Sequence, residues 1–136
     1  MRYFLAKTDP DTYSIDQLEK EKKTVWDGVN NPQAVRAIRD MRPGDQVFIY
    51  HSGGNSAVVG LAKVASEPKD DPKNPKSAVA EFEYLGRLDP PVTLVEIKQS
   101  KLFDDWALVR QGRLSTMAAP DKFVEWMRKK YPKAKI

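Results

Sequence analysis

The chain has 136 residues, 23 basic against 19 acidic, a formal net charge of +4 and a pI near 9.2. One domain of this length buries roughly 70% of the surface its unfolded form exposes, so a single unit over residues 1–136 is expected. The absence of cysteine excludes a disulfide scaffold and thiolate chemistry. The four apolar residues between Arg2 and Lys7 are too few for a secretory core, and no apolar run approaches the ~18 residues of a membrane span, which leaves a cytoplasmic protein without a membrane partner as the expectation.

In chain order, Arg2 to Ala6 reads as a short buried strand closed by Thr8-Asp9-Pro10-Asp11. Ser14-Ile15-Asp16-Gln17 has the spacing of a capping box, which predicts a helix to about Lys22. Asn31-Pro32 predicts a second helix with Asn31 as its cap, turning Val35, Ile38 and Met41 inward and Arg36, Arg39 and Asp40 outward. After an Arg42-Pro43-Gly44-Asp45 turn, Gln46–His51 and Ala57–Val64 read as the two strands of a hairpin, joined through Gly53-Gly54. The segment 67–76 contains three prolines and is expected to be a surface loop without regular structure. Ala78–Leu85 reads as a strand, and Thr93-Leu94-Val95-Glu96 as a second capping box opening a short helix. Arg113–Met117 reads as a last strand. Pro120 then opens a final helix with Phe123, Trp126, Met127 and Tyr131 on one face. Five or six strands with helices between them define an α+β class and predict a small closed or half-closed barrel in preference to a doubly wound parallel sheet.

The basic excess is local. Arg128, Lys129, Lys130, Lys133 and Lys135 fall in the last nine residues with no acid, while the other 127 residues carry 18 bases against 19 acids. Cations closing a final helix complement its dipole, so a solvated tail is the first reading and non-specific attraction to phosphates the second.

His51 is the only histidine. Its neighbour Ser52 points to the opposite strand face, so the two cannot form a dyad, and no G-x-S-x-G elbow supplies another nucleophile. The carboxylate pairs Asp9/Asp11, Asp70/Asp71 and Asp104/Asp105 lack metal-loop spacing and suit turns, so no metal is expected. No glycine-rich phosphate loop is present and no cofactor is implied. What remains is a concave binding site built from Lys7, Trp26, Asn31, His51, Ser52, Arg113 and Ser115, an aromatic face with placed donors and acceptors of the kind an unstacked base needs.

The order of residues is more specific. Tyr3-Phe4-Leu5-Ala6-Lys7-Thr8-Asp9-Pro10, Trp26-Asp27-Gly28-Val29-Asn30-Asn31, Gln33-Ala34, Met41-Arg42-Pro43-Gly44-Asp45, Tyr50-His51-Ser52, Asp71-Pro72, Pro91-Val92-Thr93-Leu94 and Arg113-Leu114-Ser115 together resemble the EVE domain family along essentially the whole chain. That resemblance implies a PUA-like β-barrel with peripheral helices, related to the YTH and ASCH domains, that reads modified bases in DNA or RNA by flipping them into a pocket. It places Tyr50, His51 and Ser52 at the pocket mouth, with His51 as a hydrogen-bonding residue; a structural histidine satisfied by a backbone group and a catalytic base are its other readings. The chain departs from the family pattern at Phe4, Asp9, Asn30, Val35-Arg36 and Thr116–Ala119, and the Asn30 departure removes a cation beside the implied pocket. A non-catalytic module for a modified base is therefore the leading expectation. An enzyme acting on a small nucleotide or on RNA, and a small-molecule-binding domain, are the alternatives.

Overall fold

The computed structural model describes residues 1–136. Local chemistry fixes the helices. In α1 (Ile15–Glu21), Ser14 Oγ accepts from the Gln17 N–H at 3.3 Å and Gln17 Oε1 accepts from the Ser14 N–H at 2.8 Å, so both halves of the capping box are made. In α2 (Pro32–Asp40), Asn31 Oδ1 accepts from the N–H groups of Gln33 and Ala34, and Ala34, Val35 and Ile38 are buried while Arg36 and Arg39 face solvent. Helix α3 (Leu94–Ser100) has only half a box. Thr93 Oγ1 accepts from the Glu96 N–H at 3.1 Å, but the Glu96 carboxylate pairs with Lys130 instead of reaching back. A short α4 (Ala107–Arg110) and α5 (Asp121–Lys130), which starts after Pro120, complete the set.

Seven strands form the sheet: β1 (Tyr3–Thr8), β2 (Lys23–Trp26), β3 (Gln46–His51), β4 (Ala57–Val64), β5 (Lys69–Asp71), β6 (Asn74–Thr93) and β7 (Thr116–Ala118). The order is β2-β6-β4-β3-β1-β7, with β5 paired to β6. Strands β3 and β4 form the expected hairpin, whose loop passes through Gly53 and Gly54 at φ +83° and +54°, backbone that glycine adopts without strain. Strands β1 and β3 run parallel, connected through α1, β2 and α2.

The class is mixed α+β, as expected, but the expected barrel is not closed. Strand β2 pairs only with β6, and β7 pairs only with β1, so the sheet has two free ends. The physical reason is length and cover. Strand β2 has four residues and ends at Asp27-Gly28; β7 has three and ends before Pro120, with α2 packed against it.

The segment expected to be an irregular loop folds as a hairpin. Asp71 Oδ1 accepts from the Lys73 N–H at 2.9 Å to close an Asx turn around Pro72, and β5 pairs with the start of β6. Strand β6 runs 20 residues where eight were expected. It tolerates Pro90 and Pro91 because its register with β4 jumps from Gly60↔Arg87 to Val58↔Val92. Four residues then oppose Val59, in a bulge where no ladder N–H is required.

The core is one cluster that includes Phe4, Leu5, Phe48, Phe82, Phe103 and Phe123, each no more than 1% exposed. Helix α1 approaches the sheet so closely that a Cβ on Gly60 would lie 2.3 Å from Ile15 Cδ1 and 3.1 Å from the Gly86 carbonyl oxygen.

Candidate functional site

A cavity of about 380 Å³ lies between β2, at one free end of the sheet, and the end of β1. Its walls come from the end of β1 (Lys7, Thr8), the loop before α1 (Thr12, Tyr13), β2 and the turn after it (Thr24 to Val29), and Ser115 just before β7. That volume lies at the lower end of the range for small-ligand sites. Trp26 and Tyr13 form an aromatic wall, edge to face at 6.1 Å, and the indole also stacks on Phe82 at 5.0 Å and 23°.

The edge of β2 adds backbone groups. The Tyr84 N–H donates to the Lys22 carbonyl at 2.8 Å, which makes Lys22/Tyr84 a hydrogen-bonded pair of the antiparallel ladder. Alternation then turns Thr24 and Trp26 toward β6, and turns the N–H and C=O of Val25 toward the unpaired edge that borders the cavity. Asp27 is the one carboxylate in the walls.

Of the residues expected at a binding site, the cavity brings together Lys7, Trp26 and Ser115. Lys7 is half-buried. Its Nζ donates to the Gly112 carbonyl at 3.0 Å and lies 5.5 Å from the centre of the Tyr50 ring, while its N–H donates to the Ser115 carbonyl at 2.7 Å. Burial lowers the Lys7 ammonium pKa from its ordinary value and raises that of the Tyr50 phenol. Lys7 therefore ties the 112–115 turn to β1 and fixes Ser115 at the wall. Tyr50, 2% exposed, acts behind Lys7 and does not itself line the cavity.

Asn31, His51, Ser52 and Arg113 are not among the walls. The Asn31 side chain is occupied by the α2 cap. Arg113 is exposed in the turn that Lys7 holds. The Ser52 N–H donates to the Thr8 carbonyl at 2.9 Å, extending the β1–β3 ladder.

His51 Nε2 accepts from the Ile15 N–H at 3.0 Å, satisfying the first amide of α1. An accepting Nε2 requires the neutral ring with its proton on Nδ1. Burial lowers the His51 pKa, Asp16 opposes that shift and Arg87 adds to it. Asp16 and Glu19 share the Arg87 guanidinium, which lowers both carboxyl pKa values and raises that of the guanidinium. His51 thus anchors a helix start, with an ion-paired surface cluster beyond it.

The cavity walls not expected from the sequence are Thr8, Thr12, Tyr13, Thr24, Val25, Asp27, Gly28 and Val29. The signal for Asp27 was present in the Trp26-Asp27-Gly28 motif; the signal for Val25 was hidden, because its contribution is backbone at a sheet edge.

Taken together, a seven-stranded mixed sheet with two free end strands, and a cavity of about 380 Å³ beside β2, define an open-sheet α+β domain with a candidate ligand site. The EVE domain model matches residues 2–130, and the chain belongs to the EVE domain family. Thymocyte nuclear protein 1 of Rattus norvegicus is 30% identical over 124 residues, covering 71% of this chain and 55% of that protein. The chain spans about half the length of the thymocyte nuclear protein relatives that it matches. A solved hypothetical protein from Leishmania major superposes with a TM-score of 0.87 at 32% identity, over 98% of this chain and 96% of the other. Human THYN1 protein, solved in complex with 5-methylcytosine-containing DNA, superposes with a TM-score of 0.85 at 21% identity, over 96% and 98% of the two chains.

Proposed function

We propose that the chain is a binding module for nucleic acid carrying a modified base, and that the cavity at the open sheet edge receives that base, flipped from its strand, with 5-methylcytosine in DNA as the first candidate. The observation that carries this reading is the convergence, around one cavity of about 380 Å³, of the Trp26–Tyr13 wall, the unpaired Val25 backbone and the Asp27 carboxylate. An aromatic wall contributes about 1–3 kcal/mol per stacked base with little sequence preference. The Val25 N–H and C=O offer one donor and one acceptor, as a base edge requires. Asp27 accepts from an exocyclic amine such as cytosine N4 and repels the carbonyl that thymine carries at the same place. Burying one methyl adds about 0.8 kcal/mol, or roughly fourfold in affinity, so the aromatic wall separates 5-methylcytosine from cytosine only modestly. The complex of human THYN1 with 5-methylcytosine-containing DNA supports the choice of ligand.

The test is a set of fluorescent oligonucleotides, alike except for one cytosine, 5-methylcytosine or thymine, in deoxy and ribo forms, titrated against wild type and Asp27→Asn. Wild type is expected to bind the 5-methylcytosine deoxy strand best. Asp27→Asn should compress the difference between 5-methylcytosine and thymine by about 1–3 kcal/mol. Equal affinity for all three bases, unchanged by Asp27→Asn, would overturn the reading.

A further inference from the structure

The arginines divide into two groups. Arg39, Arg42, Arg87, Arg110 and Arg128 each have a carboxylate within 4 Å, whereas Arg2, Arg36 and Arg113 have none. The unpaired three are not scattered. Arg2 and Arg36 line one cleft of about 360 Å³ between α2 and β7, floored by Phe4 and Met117. The Arg2 guanidinium carbon lies 5.0 Å from the centre of the Phe4 ring. Arg113 stands in the turn that leads into the same strand. Leu114, Thr116, Met117 and Ala118 line this cleft, and Ser115, between the first two, lines the cavity beside β2. The two hollows therefore adjoin along the chain at residues 114–116, which contribute Ser115 to one and Leu114 and Thr116 to the other.

We infer that the cleft between α2 and β7 seats the backbone phosphates of the strand whose base enters the cavity; this rests on the base-binding reading above. A guanidinium is weakly hydrated, forks onto phosphate oxygens and packs its flat face on aromatic rings, as Arg2 does over Phe4. Gln33 adds an amide to the rim. Asp40 is the one acid there, and no arginine nitrogen lies within ion-pair distance of it, so two guanidiniums face one carboxylate.

The C-terminal cluster is the competing phosphate surface. Two of its five cations are already engaged: Arg128 pairs with Glu125 and reaches the Tyr3 hydroxyl at 3.3 Å, and Lys130 pairs with Glu96 and lies 4.6 Å from the centre of the Trp126 ring. Net charge along the sequence pointed to the tail; pairing in the fold points to the cleft.

The experiment measures the salt dependence of binding to an unmodified single-stranded DNA oligonucleotide for three proteins: wild type, Arg2→Gln/Arg36→Gln, and Lys129→Gln/Lys133→Gln/Lys135→Gln. In parallel, 5-methyl-2′-deoxycytidine, which carries no phosphate, is titrated into the first two. The fold keeps Arg2 through its backbone N–H, which donates to Asp45 Oδ1 at 3.0 Å, so the side-chain change leaves that bond in place. The arginine variant is expected to lose about 1.4 from the slope of log K against log salt, two phosphates at ~0.7 each on a single strand. The lysine variant should keep the wild-type slope, and the nucleoside should bind wild type and the arginine variant equally. An unchanged slope in a folded arginine variant, a slope lost only in the lysine variant, or no binding of wild type to the oligonucleotide at low salt would each overturn the inference. If the nucleoside fails to bind while the arginine variant still loses slope, the base reading fails and the phosphate seat stands.

Discussion

Trp26 and Trp106 are almost equally buried, at 7% and 8% exposure, but the regions around them differ in kind. Trp106 belongs to a closed aromatic cluster beneath α5, where Phe123 meets Phe48, Phe103, Trp106 and Trp126 with centroids 4.6 to 5.9 Å apart. Its indole N–H donates to the Ala118 carbonyl at 2.9 Å, so every polar atom of the ring is satisfied within the fold. Trp26 stacks on Phe82 with one side and lines a cavity with another, and beside it the backbone of Val25 has no strand to pair with. The difference teaches that burial alone does not separate core from site. What separates them is whether the polar groups around the ring already have partners.

That contrast sets the largest expected effect. Phe123→Ala removes the centre of the closed cluster and should cost about 3–5 kcal/mol in denaturant unfolding, with the oligonucleotide preference of the remaining folded protein unchanged. A matching loss of selectivity would show the two regions to be coupled. Trp26→Ala would remove core packing as well as the cavity wall, which makes Asp27→Asn, at an exposed residue, the cleaner probe of the site.

Gly60→Ala comes next. Its new Cβ meets Ile15, which holds α1 over the sheet close to the loop that walls the cavity. Overpacking of this kind costs about 1–3 kcal/mol, and adding Ile15→Val should recover part of it. Additive losses in the double variant, read from denaturant midpoints, would mean that the close approach is relieved elsewhere.

Asn31→Ala sharpens the boundary of the site. The Asn31 side chain already accepts from two amides of α2, so its loss should cost about 1 kcal/mol of stability and leave the 5-methylcytosine preference intact. Reduced selectivity in the folded variant would return Asn31 to the binding surface.

His51 gives the smallest effect and a sign. Its folded pKa lies below the ordinary value, chiefly through burial, and protonating Nε2 would break the bond from the Ile15 amide. The unfolded chain therefore binds the proton more readily, so this contribution is fully present above about pH 6.5 and is lost as pH falls below it. Thermal unfolding of wild type should weaken over that window relative to His51→Asn, whose amide oxygen can still accept. Parallel pH profiles of the two proteins would contradict the assignment.

What was legible in the sequence was mostly local. Ser14 with Gln17, and Asn31 with Pro32, announce helix starts because capping is decided within four residues. Strand β2 escaped because it is four residues long and follows α1 through Lys22 at φ +72°, where a glycine would have marked the break. The C-terminal reach of β6 escaped because Pro90 and Pro91 look like breakers until the bulge opposite Val59 removes the need for N–H groups there. For the candidate site, side-chain type led to Trp26 and Lys7, which line the cavity. It did not lead to Val25, whose contribution is unpaired backbone, nor did it separate His51 as a helix anchor from His51 as a pocket residue. Those distinctions depend on which strand ends without a neighbour, and that is set by tertiary pairing.

The most direct measurement is a pair of amide-resolved NMR titrations of the isotope-labelled protein, one with an oligonucleotide carrying a single 5-methylcytosine and one with its unmodified match. Shifts common to both should fall along the cleft between α2 and β7. Shifts that differ between them should fall at residues 24–29, Lys7, Thr8 and Ser115, the walls of the cavity. Differences confined to α5 and the tail, or identical shifts from both oligonucleotides, would contradict the account.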